Sequence, residues 1–465
     1  MPTRQPFASP LTVPPHGLPR RALLQAGTLG LAGLSWTNLL RAQTGSPTTG
    51  ADGFGRAKQC ILLFMWGGPS HIDTFDPKPQ APQQVRGPFA TISTNVPGIE
   101  VSEHYHRVAR YADKLAIVRS MTHDDPAHLS SVHTLLTGHL PPVNKSDAEP
   151  PSDRDTPHIG SVLSKLRPAA GAMPSFVAMP WIVSHPSAPG GKAPGQQGGW
   201  LGHQHDPFLV AGDPNQPNWQ VPALALIDGQ SPGRLNHRRD LLNSLDRKRR
   251  VLESGGIIEQ LSSQQSQAFG LLTSATVRGA FDVQQESAET RDRYGRHIHG
   301  QCVLLARRLI DHGVPLVAVN WHDDGRSFWD THGNNFNRLK NDLIPPNDRA
   351  FAALLDDLSA SGKLDETLIV WVGEFGRGPH INGSSGREHH PGCYSGVLAG
   401  GGIRGGQIYG ASDAIGMAPA ENPVSPHDIT ATMFHALGIP NDAVLRDALN
   451  RPHAIYGGSP LTALF

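Results

Sequence analysis

An excess of charge of either sign is missing from this chain of 465 residues, in which Lys+Arg number 40 and Asp+Glu number 40. A chain without net charge gives no footprint for nucleic acid and no general attraction to anionic membranes. Cysteine is scarce as well. Cys60, Cys302 and Cys393 are odd in number and lack a CxxC spacing, so neither a disulfide framework nor a structural zinc ribbon is supported. Cys60 and Cys302 sit in apolar stretches that suit core packing, whereas Cys393 follows His390 closely and either packs or lines a site. The N-terminal apolar run, Gln25 to Leu34, is too short and too rich in Gly to span a bilayer. The segment GGGIRGG matches neither the Walker nor the Rossmann fingerprint, which removes a nucleotide-binding reading.

Glycine, proline and histidine are plentiful, at 51, 41 and 24 residues. The first two announce long loops, and a hydrophobic content of 38% is still ample for a core at this length. Residues 1–43 read as a twin-arginine export signal: Pro19-Arg20-Arg21-Ala22-Leu23-Leu24, a weakly hydrophobic run, then Leu40-Arg41-Ala42-Gln43. An ordinary basic N-terminus with a short apolar helix is the plainer alternative. Residues 44–465 read as a single α/β domain, with a Pro/Gly-rich surface excursion over about 145–217 that holds a short apolar strand at Ser175–Met179 and in which His203, His205 and Asp206 are candidate contributors to a lidded site. The basic run Arg247–Arg250 reads as a solvated helix face.

Four apolar strands lead directly into metal-competent residues. Gln59–Trp66 opens into Ser70, His71, Asp73 and Asp76, and Leu115–Ser120 into His123, Asp124 and His128 at the start of a helix. Pro315–Asn320 precedes Asp330 and His332, two apart and able to project together from an extended segment. Leu368–Val372 precedes Glu374, Arg377, Arg387, His389 and His390. Continuous β-branched runs of this kind suit strands buried on both faces, and ligands of open α/β sheets bind beyond the strands' carboxyl ends. Imidazoles and carboxylates suit a divalent metal, and a guanidinium suits an anionic ligand. A polar surface loop carrying a chance His pair is the bland alternative.

The motifs GGPSHIDTFDPKP, LLTGHLP, WDTHGNNF, GEFGRGPHINGSSGREHHPG and AGGGIRGG, with the twin-arginine start, resemble the exported domain-of-unknown-function family 1501 over most of the mature chain. That family is similar to the alkaline phosphatase and arylsulfatase superfamily. The resemblance implies a three-layer α/β/α sandwich with a mostly parallel central sheet and long loop insertions. It also implies one or two divalent ions, with zinc, calcium or manganese as the choices. Ligands implied are Asp73 with His71 as competitor, Asp330 and His332, Glu374, and His389 with His390 as neighbour or substitute. Phe375 stands where the superfamily has an imidazole. Sulfatases place a modified cysteine nine residues before the Thr of an LLTG-like turn, and counting back from Thr137 gives His128. His128 is thus a ligand or general acid, and the nucleophile is Ser70, Thr122, Ser130, Ser131 or a metal-bound hydroxide. Arg377 or Arg387 would hold anionic oxygens. The implied protein is periplasmic or secreted, with the twin-arginine translocase as its export partner and no membrane span in the mature chain. It would hydrolyse phosphate or sulfate esters, either small anions or modified glycans. A non-catalytic exported protein that binds an anion, glycan or protein on the same fold is the rival.

Overall fold

The structure, a computed structural model, describes residues 53–188, 190–225, 231, 233–235, 237–238, 240–241, 269–321 and 328–465. The expected signal segment and the Arg247–Arg250 run lie outside the described residues. Ten strands matter for the site: β1 Gln59–Phe64, β2 Leu115–Met121, β3 Phe176–Met179, β4 Phe208–Leu209, β5 Leu316–Asn320, β6 Thr367–Val372, β7 Gly376–Arg377, β8 His389–His390, β9 Tyr394–Ala399 and β10 Gln407–Tyr409. Eight of them form one sheet in the order β10-β2-β9-β6-β1-β5-β3-β4. Only β9 runs against its neighbours; every other pairing in this sheet is parallel.

Helices cover the sheet in the three-layer α/β/α arrangement expected from the sequence. Helix α1, His128–Thr137, packs on α4, Pro426–Ala436, while α2, Ile298–Asp311, packs on α3, Ile344–Ala360. Ser425 caps α4 through a reciprocal bond with Asp428, satisfying amides that a helix start leaves unpaired. The all-apolar runs read as doubly buried strands are so: β5 and β6 are buried at every position, and β1 at all but its first. Beyond their ends the backbones stay tied together, with Met65 N–H donating to Val372 O (2.9 Å), Trp321 N–H to Phe64 O (2.7 Å) and Trp329 N–H to Trp66 O (3.0 Å). The three loops that follow are thereby held side by side.

Within the 145–217 stretch the strand expected at Ser175–Met179 is present as β3, and with β4 it extends the central sheet beyond β5. The strands flanking GGGIRGG are not sheet neighbours: β2 lies between β9 and β10, so the glycines carry the chain across a strand. Among the described residues, no helix is long and apolar enough to cross a membrane.

Candidate metal centre

The β7–β8 ribbon brings the most distant candidate into place. His389 pairs with Arg377 and His390 with Gly376, which folds the glycine-bearing loop back on the strand ends. Successive residues of a strand face opposite ways. His389 accordingly reaches Asp330, whereas His390 bonds Met417 O through Nε2 at 2.7 Å.

Three imidazoles converge on Asp330. The Nε2 atoms of His332 and His389 lie 3.1 and 3.2 Å from its Oδ1, and 2.9 Å from each other. His128 Nε2 stands 3.6 Å from Oδ2, too far for a hydrogen bond, and this buried nitrogen has no hydrogen-bond partner. Among the described residues, His128, Asp330 and His389 form the group whose ligand atoms all lie within 4.8 Å of one another.

The second nitrogen of each ring fixes its tautomer. His128 Nδ1 lies 2.6 Å from Glu374 Oε1, His332 Nδ1 2.6 Å from Glu388 Oε2, and His389 Nδ1 2.9 Å from Pro126 O. A carboxylate or carbonyl can only accept, so each Nδ1 carries the proton and each neutral ring presents an Nε2 lone pair. Two lone pairs facing each other at 2.9 Å repel unless a cation lies with them. In the metal-free protein that cation is a proton. Asp330 hydrogen bonding raises His332, whereas burial lowers His389 despite the same carboxylate. Burial also disfavours charge on His128, but Asp330 and Glu374 outweigh it and push the imidazole up to about 9. Burial would raise Asp330, yet the nearby imidazoles of His128, His332 and His389 and the charge of Arg377 hold it well below the usual carboxylate range. Lone pairs from three oriented imidazoles beside one carboxylate fit a divalent metal ion, and oxygen acceptors on the far nitrogens are the usual outer support of such sites.

Access is graded. Side-chain exposure falls from 43% at His332 through 22% at His389 and 19% at Asp330 to 2% at His128, so the cluster opens on the His332 side. Its inner wall is built by close approach. Gly67 N–H donates to Glu374 Oε1 at 3.0 Å, and a Cβ on Gly67, whose φ is +108°, would stand 2.3 Å from Asp330 N. Phe375 packs against the cluster, its ring 4.7 Å from those of both His128 and His389.

Other expected site residues stand elsewhere. Asp73, expected as a ligand, is fully buried and accepts from Arg387 Nε at 2.7 Å, Arg387 Nη2 at 2.9 Å and Asn335 Nδ2 at 2.9 Å. Arg387, expected as an anion clamp, also donates to the carbonyls of Val85 and Pro379. Arg377, the other clamp, is buried behind the cluster, where it donates to Asp330 Oδ1 and to the carbonyls of Gly67 and Gly68. Glu374 supports His128 from behind instead of facing the common point. His71 bonds Gly416 O at 2.8 Å, in the same loop that receives His390. Ser131 donates to Asp125 O, Ser130 accepts from Ser146 N–H, and Ser70 accepts from Asp73 N–H. Cys393 is buried against Arg119 O. His205 pairs with Ser164 and His203 with Asp206, away from the imidazole cluster.

Sequence reasoning missed His185. Its ring lies 5.5 Å from that of His128 and 6.4 Å from that of Trp66. The loop bearing it is closed by the Ser184–Lys192 bridge and by its own N–H donating to Gly191 O. The only signal was a histidine in a Pro/Gly-rich stretch, which any surface loop could carry.

A mostly parallel sheet with a histidine–carboxylate cluster beyond its strand ends defines an α/β protein with a candidate metal centre. The chain belongs to the family described as "Protein of unknown function (DUF1501)", which matches residues 57–465. No curated protein matches it. Among solved structures it is similar to Ps i-CgsB, at 13% identity and TM-score 0.37, covering 82% of this chain and 72% of that one. It is also similar to the PsFucS1 sulfatase from Pseudoalteromonas sp., at 13% identity and TM-score 0.36, covering 90% and 72%. A third is the lipoteichoic acid synthase LtaP from Listeria monocytogenes, at 10% identity and TM-score 0.37, covering 89% and 78%. Likenesses this distant carry no activity over to this chain.

Proposed function

We propose that this protein is an exported metal-dependent hydrolase of phosphate or sulfate esters, with His128, Asp330, His332 and His389 as the metal ligands. The observation that carries the reading is the convergence of three Nε2 lone pairs on Asp330, each ring oriented by an oxygen acceptor on Nδ1. The ester class follows from the family's resemblance to alkaline phosphatases and arylsulfatases, and export from the twin-arginine start.

A divalent ion held here supplies Lewis acidity and lowers the pKa of water to about 7, so no protein nucleophile is required. The chain's own residues do the rest. Glu374 and Glu388 hold two of the rings in the lone-pair tautomer, and Arg377 fixes Asp330 from behind. Phe375 and Trp66 exclude water from the buried side, which leaves the His332 side for substrate. His185 lies beside His128, their ring centroids 5.5 Å apart.

The test is a screen of aryl phosphates and aryl sulfates with protein loaded separately with zinc, manganese or calcium. Turnover should appear with metal, disappear with chelator and be absent in His389→Ala. Metal-loaded wild-type protein that turns over none of them while binding the anions tightly would favour the binding-protein rival.

A further inference from the structure

From the side chains that close around Asp73, and resting on the metal-centre reading above, we infer that the chain holds a single metal ion. In this arrangement the guanidinium of Arg387 fills the role of a second cation.

Asp73 is the acid that follows β1, where the family resemblance puts a metal ligand. Both of its oxygens are taken: Oδ1 by Arg387 Nη2, and Oδ2 by Arg387 Nε and Asn335 Nδ2. The two side chains of the ion pair are 0% exposed. A buried carboxylate needs a compensating charge, and a two-pronged guanidinium supplies that charge together with the geometry. The pair is built into the scaffold. Arg387 is further held by the carbonyls of Val85 and Pro379, and its own N–H donates to Thr331 O, next to Asp330. Asn335 is gripped in turn by Thr331 Oγ1 at 2.7 Å. A metal at Asp73 would have to displace a fully buried arginine from its bonds to the carboxylate.

Glu374 and His390, also expected as ligands, are turned to other partners, and His71 uses its Nε2 elsewhere. Glu374 takes the Gly67 amide and His128 Nδ1, while His71 and His390 hold carbonyls of the 416–417 turn. What stays available is the set on Asp330, which is rich in nitrogen. Three imidazoles and one carboxylate favour zinc and neighbouring transition metals, whereas calcium and magnesium prefer all-oxygen shells. The single site is therefore assigned to a zinc-class ion and not to calcium.

The experiment is elemental analysis of the full chain after loading with zinc, manganese or calcium chloride in separate samples and removing unbound ion by gel filtration. It is repeated on Asp73→Asn and on His389→Ala. The inference expects about one zinc per chain, little retained calcium, an unchanged zinc content in folded Asp73→Asn, and loss of zinc in His389→Ala. Two ions per wild-type chain, a preference for calcium, or loss of zinc in folded Asp73→Asn would overturn the single-ion inference and leave the hydrolase reading standing. No retained metal of any kind would overturn both. Because the wild-type stoichiometry decides alone, failure of Asp73→Asn to fold does not remove the test.

Discussion

Two carboxylates lie beyond neighbouring strands, each with an arginine, and they end in opposite conditions. Both oxygens of Asp73 are matched, and its side chain and that of Arg387 are fully buried. Around Asp330 an arginine is present too, bonded to Oδ1, but three imidazoles crowd the same carboxylate and one Nε2 is left without a partner. The difference teaches that an acid at a strand end is not a ligand by virtue of position. It becomes one where donors of lone pairs, not of protons, are arranged around it and where some path to solvent remains.

The largest effect that separates the two should come from Asp330→Asn. Removing that charge leaves the imidazoles without their shared anion, and zinc retained per chain should fall to background with hydrolysis lost, as read by elemental analysis and ester turnover. The reverse pattern is expected for Arg387→Met. Breaking one partner of a buried pair costs about 3–5 kcal/mol, so denaturant midpoints should drop sharply, while zinc per folded chain stays as in wild type. A smaller effect belongs to Glu374→Gln, which keeps the shape but weakens the hold on His128 Nδ1. Loss of such an outer partner costs roughly 10–100-fold in metal affinity, measurable by competition with a chromogenic chelator.

The pH dependence sharpens the comparison most gently. In metal-free protein His128 is raised from 6.5 to about 9, so the folded state binds this proton more tightly than the unfolded state. The resulting stabilisation is fully present below about pH 6.5 and is lost as pH rises towards 9. Asp330, being depressed, contributes throughout that window. Denaturation midpoints of the metal-free protein should therefore fall from pH 6.5 to 9. Metal affinity should rise over the same range, since the ion displaces the His128 proton. A flat metal-free profile would contradict the charge placement around Asp330.

Much of this was legible in the chain. The all-apolar runs ending in polar residues gave the buried strands and the side of the sheet on which chemistry sits. The Asp330–His332 spacing was read as two side chains projecting together, but His389 and His390 were both read as ligands, and of the pair only His389 reaches Asp330. What could not be read was the partner of each charge. Asp73 and Asp330 look alike in sequence, and only folding shows that Arg387 returns to one and Arg377 to the other. Glu374 was seen as an acid beyond a strand, but its role was decided by the Gly67 amide and His128 Nδ1, contacts across more than two hundred residues of chain. His185 was invisible because no periodicity marks a loop that merely passes over a site.

The most direct test of the central claim is an anomalous difference map, recorded at the zinc absorption edge, from crystals of the zinc-loaded full chain. The account predicts one peak, between the Nε2 atoms of His128, His332 and His389 and the carboxylate of Asp330, and none beside Asp73. A peak at Asp73, or no peak among the three imidazoles in protein that still binds zinc, would contradict it.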